Sequence, residues 1–332
     1  MNIQHNVELK PYNSLKTSAK AKLFCAPKSV DELSKIIKLY PNEKKLVLGA
    51  GYNLFFTKDF NGLVIHPQMK GSKIYFEDDK IVEIEVGASE VWDNFVAFCV
   101  ANNFAGVENL SHIPSSVGAA PVQNIGAYGT EVDSVIKLVR TVDIETGKKK
   151  KLTNDMCEFG YRNSIFKQTG KHIITSVVFQ LKKNFTYSPK YIDVEHELAD
   201  IKNPSMMDVR NAIIKIRKRK LPECDILPNA GSFFKNPFLS HKEKEKLIEL
   251  FPNAPIHKVD KLNFKTSAAF LIDKAGFSNT RRNSVGTYKH HALIIVNYGT
   301  ERGDEIVYFM KEIQQSVYSQ FNIWLEPEVR IY

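Results

Sequence analysis

IPSSVGAAPVQNIGAYG, residues 113–129, is the most informative stretch of this 332-residue chain. Small residues crowd it, while two amides, Gln123 and Asn124, stand among apolar neighbours. Because glycine and alanine let another group approach the main chain, a flat or phosphorylated ligand could pack at Gly118, Ala119, Ala120 and Gly126. The residues alone leave a second interpretation equally open: a tight internal segment whose amides are satisfied by backbone groups.

The composition is that of a globular protein, with 43% hydrophobic and 25% charged residues and enough length for two or three domains. No run approaches the roughly 20 apolar residues that a membrane span requires. The first residues lack the pattern of a secretion signal. The four cysteines have no CxxC spacing, so neither a zinc site nor a disulfide framework is indicated. We expect a cytoplasmic protein with no membrane partner and no metal site.

The formal net charge of +9 raises the question of a nucleic-acid partner. The lysines of ETGKKKKL, residues 145–152, are typical of a solvated turn between two strands. The run RKRK, residues 217–220, closes an apparent helix, where cations suit the helix dipole and would also suit an anionic ligand. Because no aromatic residues interleave with these cations as a stacking surface requires, we expect no nucleic-acid partner.

The order of elements predicts an α+β fold with short strands. Ser29 and Glu32 form a capping box at the start of one helix, Ser89 is expected to cap a second, and Gly276 to end a third. KIYFEDDKIVEIEVG, residues 73–87, is typical of a hairpin, and EPEVRIY of a closing strand. A polar, turn-rich segment before the helix at 205–220 marks the candidate domain boundary.

A second glycine-containing segment follows a predicted strand, at Gly49 and Gly51 in LVLGAGYNLFF. Such glycines let backbone N–H groups face phosphate oxygens, although an ordinary turn is an equally good interpretation and the GxGxxG fingerprint is absent. Polar side chains also stand beside constrained backbone at Arg162, Ser232 and Glu328. Each of these is ordinary when taken alone.

Five motifs together carry a resemblance: VLGAGYNLFF, IPSSVGAAPVQNIGAYG, CEFGYRNSIFK, NAGSFFKNP and WLEPEVR. In order and approximate spacing, from about Asn13 to Arg330, the chain resembles the UDP-N-acetylenolpyruvoylglucosamine reductase family, in the form with a tyrosine-bearing substrate loop. The resemblance implies a two-part FAD-binding domain of the vanillyl-alcohol-oxidase type and an α+β substrate-binding domain. The implied boundaries are residues 1–70 and 71–204 for the FAD-binding parts, with the substrate loop near 184–200, 205–320 for the substrate-binding domain, and 321–332 for a strand returning to the active site.

The resemblance also implies which residues hold FAD. The diphosphate would lie at the first glycine segment, and the second stretch would line the adenosine and isoalloxazine sides. The implied cofactor residues are Gly49, Ala50, Gly51, Tyr52, Asn53, Ser116, Gly118, Ala119, Gln123, Asn124, Ile125 and Gly126.

The implied reaction has two steps, in which NADPH reduces FAD and the reduced flavin passes hydride to the enolpyruvyl ether of a UDP-sugar. The product would be UDP-N-acetylmuramate, a peptidoglycan precursor needed for the cell wall, cell shape and division. Hydride addition creates an enolate-like dianion, which a cation must stabilise. The resemblance implies Arg162 for that cation, Glu328 as a carboxyl of raised pKa that donates a hydrogen bond, and Ser232 as the proton donor.

Substrate contacts are implied at Tyr161, Tyr191, Lys220, Asn236, His257 and His291. Tyr187 competes with Tyr191 as the loop tyrosine, and a structural role is an equal alternative for His291. The chain departs from the family pattern at Ser115, where glycine is usual, at His257, where some relatives have tyrosine, and at Ser278, where lysine is frequent. Arg281 or Arg282 is a candidate replacement for that lysine.

Two other functions compete with the reductase. A flavin oxidase of the same superfamily would share the FAD domain without needing Arg162, Ser232 and Glu328. A basic nucleic-acid-binding protein is supported by the charge alone. The resemblance further implies a monomer, and no site for the 2′-phosphate that distinguishes NADPH from NADH is visible in the sequence.

Overall fold

The structure is a computed structural model that describes residues 2–188, 191–260 and 263–332. In chain order the strands are β1 (Ile3–Glu8), β2 (Lys20–Cys25), β3 (Lys45–Val47), β4 (Leu54–Phe55), β5 (Phe60–Ile65), β6 (Ser72–Glu77), β7 (Ile81–Gly87), β8 (Gly126–Ala127), β9 (Thr130–Glu131), β10 (Ile136–Asp143), β11 (Lys149–Thr153), β12 (His172–Lys182), β13 (Asn229–Ser232), β14 (Phe238–Leu239), β15 (Ile256–Lys258), β16 (Phe264–Thr266), β17 (Arg281–Arg282), β18 (Val285–Tyr288), β19 (His291–Asn297) and β20 (Arg330–Ile331). The helices are α1 (Val30–Leu39), α2 (Trp92–Ala101), α3 (Ile165–Thr169), α4 (Ile192–Glu197), α5 (Met206–Lys220), α6 (His241–Leu250), α7 (Ala268–Lys274) and α8 (Gly303–Phe321).

The described residues form two compact units, each assembled from separate pieces of the chain. The first unit comprises residues within 1–7, 21–50 and 60–219. The second comprises 8–20, 51–59 and 220–332. Mixed helices and strands in both units confirm the predicted α+β class.

The first unit is built on two larger sheets, beside the two-stranded pair β8-β9. In one, β2 and β3 pair in parallel with β5, which gives the strand order β1-β2-β5-β3. The other is antiparallel with the order β11-β10-β12-β7-β6 and includes the predicted β6–β7 hairpin. Its core contains the rings of Trp92, Phe95 and Phe179, and the Trp92 indole N–H donates to the Leu110 carbonyl at 2.9 Å. Burial of large aromatic rings with a satisfied indole fixes α2 on this sheet.

Two predicted helix starts have different outcomes. Ser29 caps α1 as expected, because its hydroxyl accepts the Glu32 N–H at 3.2 Å. The predicted Ser89 cap is wrong: α2 has Val91 at its N-cap, and the Ser89 hydroxyl donates to the Pro67 carbonyl at 2.5 Å instead. The Ser89 hydroxyl thus donates to a distant carbonyl instead of accepting from the local N–H groups of the helix start.

The second unit contains the sheets β13-β19-β18-β17, β14-β16-β15 and β20-β4. Its core draws residues from all three chain pieces, namely Leu15, Phe55 and the large buried residues of 230–329. The closing strand β20 pairs in parallel with β4, so the end of the chain returns to this unit. None of the helices in the described residues is both long and apolar enough for a membrane crossing.

The units differ from the predicted domain boundaries. Helix α5, which the sequence placed at the start of the substrate-binding domain, belongs to the first unit as far as Arg219. Its buried Val209, Ile213 and Ile216 pack with Val194 and Leu198, around helix α4, in one apolar cluster. Tyr128 packs against this cluster and Arg210 pairs with Asp93 at 2.7 Å, which ties the α4–α5 segment to the first unit, and the bulk of the second unit begins only at Lys220.

Candidate active site

The two glycine-containing segments meet in the first unit. A Cβ on Gly49 would lie 3.3 Å from Ala119 Cβ and 3.3 Å from Ser116 Oγ. Within the part of the chain that the structure describes, the backbone N–H groups of Gly49 and Ala50 have no acceptor. Because unsatisfied backbone donors beside small side chains suit an oxygen-rich anion, this place is able to hold a phosphorylated ligand.

Other small residues of the stretch are required by the protein itself. A Cβ on Gly118 would lie 2.6 Å from Ala88 Cβ, and one on Gly126 would lie 2.8 Å from Glu131 Cγ and 2.9 Å from Arg162 Nη1. Any larger residue at these positions would have to displace its neighbours. The internal-packing interpretation therefore holds for part of the stretch.

The side chain of Asn124 is bonded entirely within the protein, as the internal-packing interpretation requires. The residue is fully buried with φ of 45°, and its amide donates to Glu131 at 3.2 Å and to the Gly160 carbonyl at 3.3 Å. Its side-chain oxygen accepts the Asp133 N–H at 3.0 Å. The expected flavin contact through this amide is not what the geometry offers, because the side chain has neither a free group nor an exposed surface. Ile125 is likewise buried, whereas Gln123 is half-buried.

Arg162 lies beside the same stretch. Its Nη2 donates to the Gly126 carbonyl at 2.7 Å, its Nη1 is 3.6 Å from the Glu131 carboxylate, and its guanidinium lies 5.2 Å from the centre of the Tyr161 ring. These contacts orient a planar cation that can bind a carboxylate in a fixed geometry. Sequence reasoning missed Glu131, although a carboxylate two residues after the glycine-rich stretch is a signal for an internal arginine partner.

In the second unit, the segment 51–53 adjoins the C-terminal strand. Gly51 has φ of 76°, and a Cβ there would lie 2.0 Å from the Tyr12 carbonyl oxygen, so glycine is needed on both conformational and spatial grounds. Asn53 Nδ2 lies 3.4 Å from the Glu328 carbonyl, and the Arg330 N–H donates to the Asn53 carbonyl at 3.0 Å. Tyr52 is half-buried, and burial raises the pKa of its phenol.

Ser232 and Glu328 lie on adjacent segments of the second unit. The Glu328 N–H donates to the Phe233 carbonyl at 2.8 Å, and Phe234 forms an antiparallel bridge with Pro327. Ser232 is exposed, and Glu328 is half-buried. The structure thus brings together two of the three predicted catalytic residues, while Arg162 belongs to the first unit.

Four predicted substrate residues of the second unit are in distinct surroundings. His291 begins β19, its Nδ1 is buried with no partner among the described residues, and burial, with a smaller effect of Lys220, lowers its pKa. The Asn236 side-chain oxygen accepts the Ala268 N–H at 2.9 Å, so its NH₂ group is the part able to serve a ligand. His257 is exposed on β15, and Lys220 ends α5.

The two candidate loop tyrosines are both in the first unit, with Pro189 and Lys190 between them lying outside the described residues. Tyr191 is exposed, and its ring packs edge-on against Tyr128 with centroids 5.3 Å apart. Tyr187 packs against the α4–α5 apolar cluster, and its buried hydroxyl has no partner within the described part of the chain. Tyr191 therefore has the more accessible ring.

The positions that depart from the family pattern are occupied by local contacts. The Ser278 hydroxyl donates to Asp273, Arg282 pairs with Glu312 at 3.0 Å, and the Arg281 guanidinium lies 4.2 Å from the centre of the Tyr298 ring. Both arginines are thus engaged on the protein surface. A role in place of a lysine at position 278 would require either arginine to leave these contacts.

Comparisons with known proteins agree with this geometry. Residues 21–153 match the family model "FAD binding domain", and residues 222–332 match "UDP-N-acetylenolpyruvoylglucosamine reductase, C-terminal domain". The chain is 46% identical over 336 residues to the UDP-N-acetylenolpyruvoylglucosamine reductase of Flavobacterium johnsoniae, covering 100% of both chains. It is 38% identical over 337 residues to that of Amoebophilus asiaticus, covering 100% of this chain and 99% of the relative.

The crystal structure of UDP-N-acetylenolpyruvylglucosamine reductase from Thermus caldophilus has the same fold, with a TM-score of 0.72 at 22% identity over 100% of this chain and 99% of the other. Full-length identity well above 30% to named relatives, together with both family models, leaves one assignment. The chain belongs to the UDP-N-acetylenolpyruvoylglucosamine reductases, a family of FAD-binding oxidoreductases.

Proposed function

We propose that the protein reduces UDP-N-acetylglucosamine enolpyruvate to UDP-N-acetylmuramate in peptidoglycan precursor synthesis, with FAD as cofactor and NADPH as reductant. The observation that carries the proposal is the hydrogen bond from the Glu328 N–H to the Phe233 carbonyl, which holds a carboxyl group next to the segment of Ser232. Family membership supplies the reaction class.

The residues present fit FAD. The open donors of Gly49 and Ala50 beside Ser116 and Ala119 suit the diphosphate, and Gly51, Tyr52, Asn53, Gly118, Gln123, Ile125 and Gly126 are the other proposed cofactor residues. When bound, FAD would supply hydride transfer from NADPH to the substrate.

Three residues of the chain would stabilise the negative charge that develops on the substrate and supply the proton. As a hydride reaches the methylene carbon, the C=C electron pair moves toward the carboxylate, and Arg162 would stabilise the resulting negative charge. Glu328, in its protonated form, would donate a hydrogen bond to the same group. The Ser232 hydroxyl would then protonate the α-carbon and regain its proton from water.

Substrate would be bound by Tyr161, Tyr191, Lys220, Asn236, His257 and His291. Lys220 would meet the diphosphate, since an ammonium group binds phosphate as a point charge. The buried, unpartnered Nδ1 of His291 supports a ligand role over a purely structural one. We further propose that the enzyme is a cytoplasmic monomer that uses NADPH and binds neither nucleic acid nor membrane.

An absorbance spectrum of the purified protein tests the proposal directly. The protein should be yellow, NADPH should bleach the flavin, and the enolpyruvyl UDP-sugar should restore the oxidised spectrum without oxygen. A colourless protein contradicts the cofactor assignment. Rapid reoxidation by oxygen alone, with no response to the UDP-sugar, would indicate a flavin oxidase instead.

A further inference from the structure

The amide of Asn229 organises the segment that leads to Ser232. Asn229 is 2% exposed, and its NH₂ group donates to the Leu227 carbonyl at 2.8 Å and to the Pro222 carbonyl at 3.2 Å. Its side-chain oxygen accepts the Gly231 N–H at 2.9 Å. One buried side chain therefore ties the preceding loop to the backbone just before the proposed proton donor.

The backbone between Asn229 and Ser232 contains a bulge. Asn229 pairs with Val296 and Ser232 pairs with Ile294 on β19, with a register shift between them. Gly231 adopts φ of 69° within the shift. A bulge re-aims a side chain, and here Ser232 is exposed while Phe233 and Phe234 are fully buried.

We infer that Asn229 is a positioning residue for Ser232: its amide holds the bulge of β13 in the shape that presents the serine hydroxyl outward for proton transfer. The inference rests on the proposed function, since it assumes that Ser232 is the proton donor. Asn229 itself touches no reacting atom, because its polar groups are all engaged by the protein.

The amide chemistry suggests two substitutions of graded effect. Asn229→Ala removes every side-chain bond to the loop. Asn229→Asp keeps an acceptor for the Gly231 N–H but turns a carboxylate oxygen toward the carbonyls of Pro222 and Leu227, where it finds no donor. Both should disturb the bulge, the first more than the second.

Asn297 provides the matched control. It is 3% exposed, and its NH₂ group donates to the Leu15 and Thr300 carbonyls at 2.7 Å each. Its oxygen accepts the N–H groups of Gly299 and Thr300 at 2.9 and 2.8 Å. Asn297→Asp makes the same chemical change at a buried amide that organises a different turn of the same unit.

The two half-reactions of the full-length holoenzyme should be measured separately by stopped flow. Asn229→Ala should slow reoxidation of the reduced flavin by the enolpyruvyl UDP-sugar about 100-fold, the usual cost of misplacing a reacting group by about 1 Å. Asn229→Asp should slow it about tenfold for a smaller displacement. Flavin reduction by NADPH and the KM for the UDP-sugar should not change, because the bulge acts on proton delivery and not on ground-state binding.

The controls separate positioning from stability. Asn297→Asp should leave both half-reactions at the wild-type rate even if its melting temperature falls as far as that of Asn229→Asp. Should Asn229→Ala fail to fold, Asn229→Asp and Gly231→Ala, which strains the same bulge at a left-handed position, carry the test with the same selective loss.

Equal loss in both half-reactions, or an equal effect of Asn297→Asp, would overturn the inference in favour of a merely structural amide. So would wild-type reoxidation rates in the Asn229 variants when Ser232→Ala is inactive. If wild-type enzyme is not reoxidised by the UDP-sugar at all, the proposed function fails, which is a separate result.

Discussion

The stretch around Asn124 and the segment around Asn229 both contain a buried asparagine and a glycine, but the glycines are needed for different reasons. Both asparagines are buried, and both bond only to the protein. Near Asn124 the side chains are small because the chain packs on itself: Gly118 lies where a Cβ would be 2.6 Å from Ala88 Cβ. Near Asn229 the glycine is needed for its backbone angle alone, since a Cβ on Gly231 would meet nothing within 4 Å.

This difference indicates what each segment would contribute to the proposed site. In the first, small residues let the protein pack closely on itself, and the backbone donors proposed to meet the cofactor lie beside it, at Gly49 and Ala50. In the second, a bulge exposes the Ser232 hydroxyl while Phe233 and Phe234 are buried. A change in the first segment should therefore damage packing and cofactor retention, whereas a change in the second should damage a single chemical step.

Ser232→Ala should give the largest effect. Loss of a positioned proton donor costs about 10²- to 10⁴-fold in rate, so reoxidation of the reduced flavin by the UDP-sugar should fall by that factor. Flavin reduction by NADPH should remain at the wild-type rate. Stopped-flow absorbance of both half-reactions checks the prediction. If both half-reactions keep their wild-type rates, Ser232 is not the proton donor, and the proposed contrast between the two segments fails.

Gly118→Ala should give an intermediate effect, on stability. The added methyl group overlaps Ala88, and overpacking of this kind costs about 1 to 3 kcal/mol of the free energy of unfolding. Urea unfolding followed by circular dichroism measures it, and flavin fluorescence reports cofactor release. Gly160→Ala is the matched control, because a Cβ there meets nothing within 4 Å and the backbone is not left-handed. Equal stabilities of the two variants would contradict the packing explanation.

The turn between β10 and β11, for which we propose no ligand, provides a stability reference for the two segments. The Asp143 carboxylate accepts a hydrogen bond from Lys150 Nζ at 2.9 Å and from the Thr146 N–H and hydroxyl at 2.9 Å each. The Lys150 bond is the largest of the causes that lower the pKa of this carboxyl. The predicted turn of ETGKKKKL is present between β10 and β11, but its charge is not simply solvated.

Asp143→Asn should give the smallest effect, on the order of 1 kcal/mol at pH 7. Since the folded-state pKa is lowered, the stabilisation is fully present above the ordinary aspartate pKa near 4 and is lost as pH falls through the depressed value. The difference between wild type and variant in urea unfolding should therefore shrink from pH 7 to pH 3.5. Asp31→Asn, at a fully exposed pair with Lys149 in the first turn of α1, should show a smaller difference at both pH values. A difference that grows on acidification would refute the ion-pair explanation.

Local patterns in the sequence were sufficient for most elements but not for their partners. The segment 73–87 predicts a hairpin, and β6 and β7 pair there as expected, because two strands adjacent in the chain need only a short turn to meet. The Ser89 cap failed because a carbonyl distant in sequence competed for the hydroxyl. The partners of Asn124 and the assignment of α5 to the first unit likewise depend on long-range packing, which spacing along a chain does not encode.

The candidate site shows the same limit. Motif order identified the family, but whether a small residue faces a ligand or the protein's own backbone depends on what lies opposite it. Gly49 and Gly118 are alike in the sequence, yet the first borders open backbone donors and the second is packed against Ala88. Only the packing around each glycine distinguishes them.

The pairing of β4 with β20 affects when the second unit can be completed during synthesis of the chain. The Thr57 hydroxyl donates to the Tyr332 carbonyl, a partner 275 residues later in the chain. At about 5 to 20 residues per second, a ribosome needs roughly 15 to 55 s to synthesise the intervening chain. Residues 51–59 therefore lack their partner strand until residues 330–331 have been synthesised, whereas every segment of the first unit precedes Lys220. The second unit is thus complete only once β20 has been made, and a chain truncated before residue 330 would leave β4 unpaired.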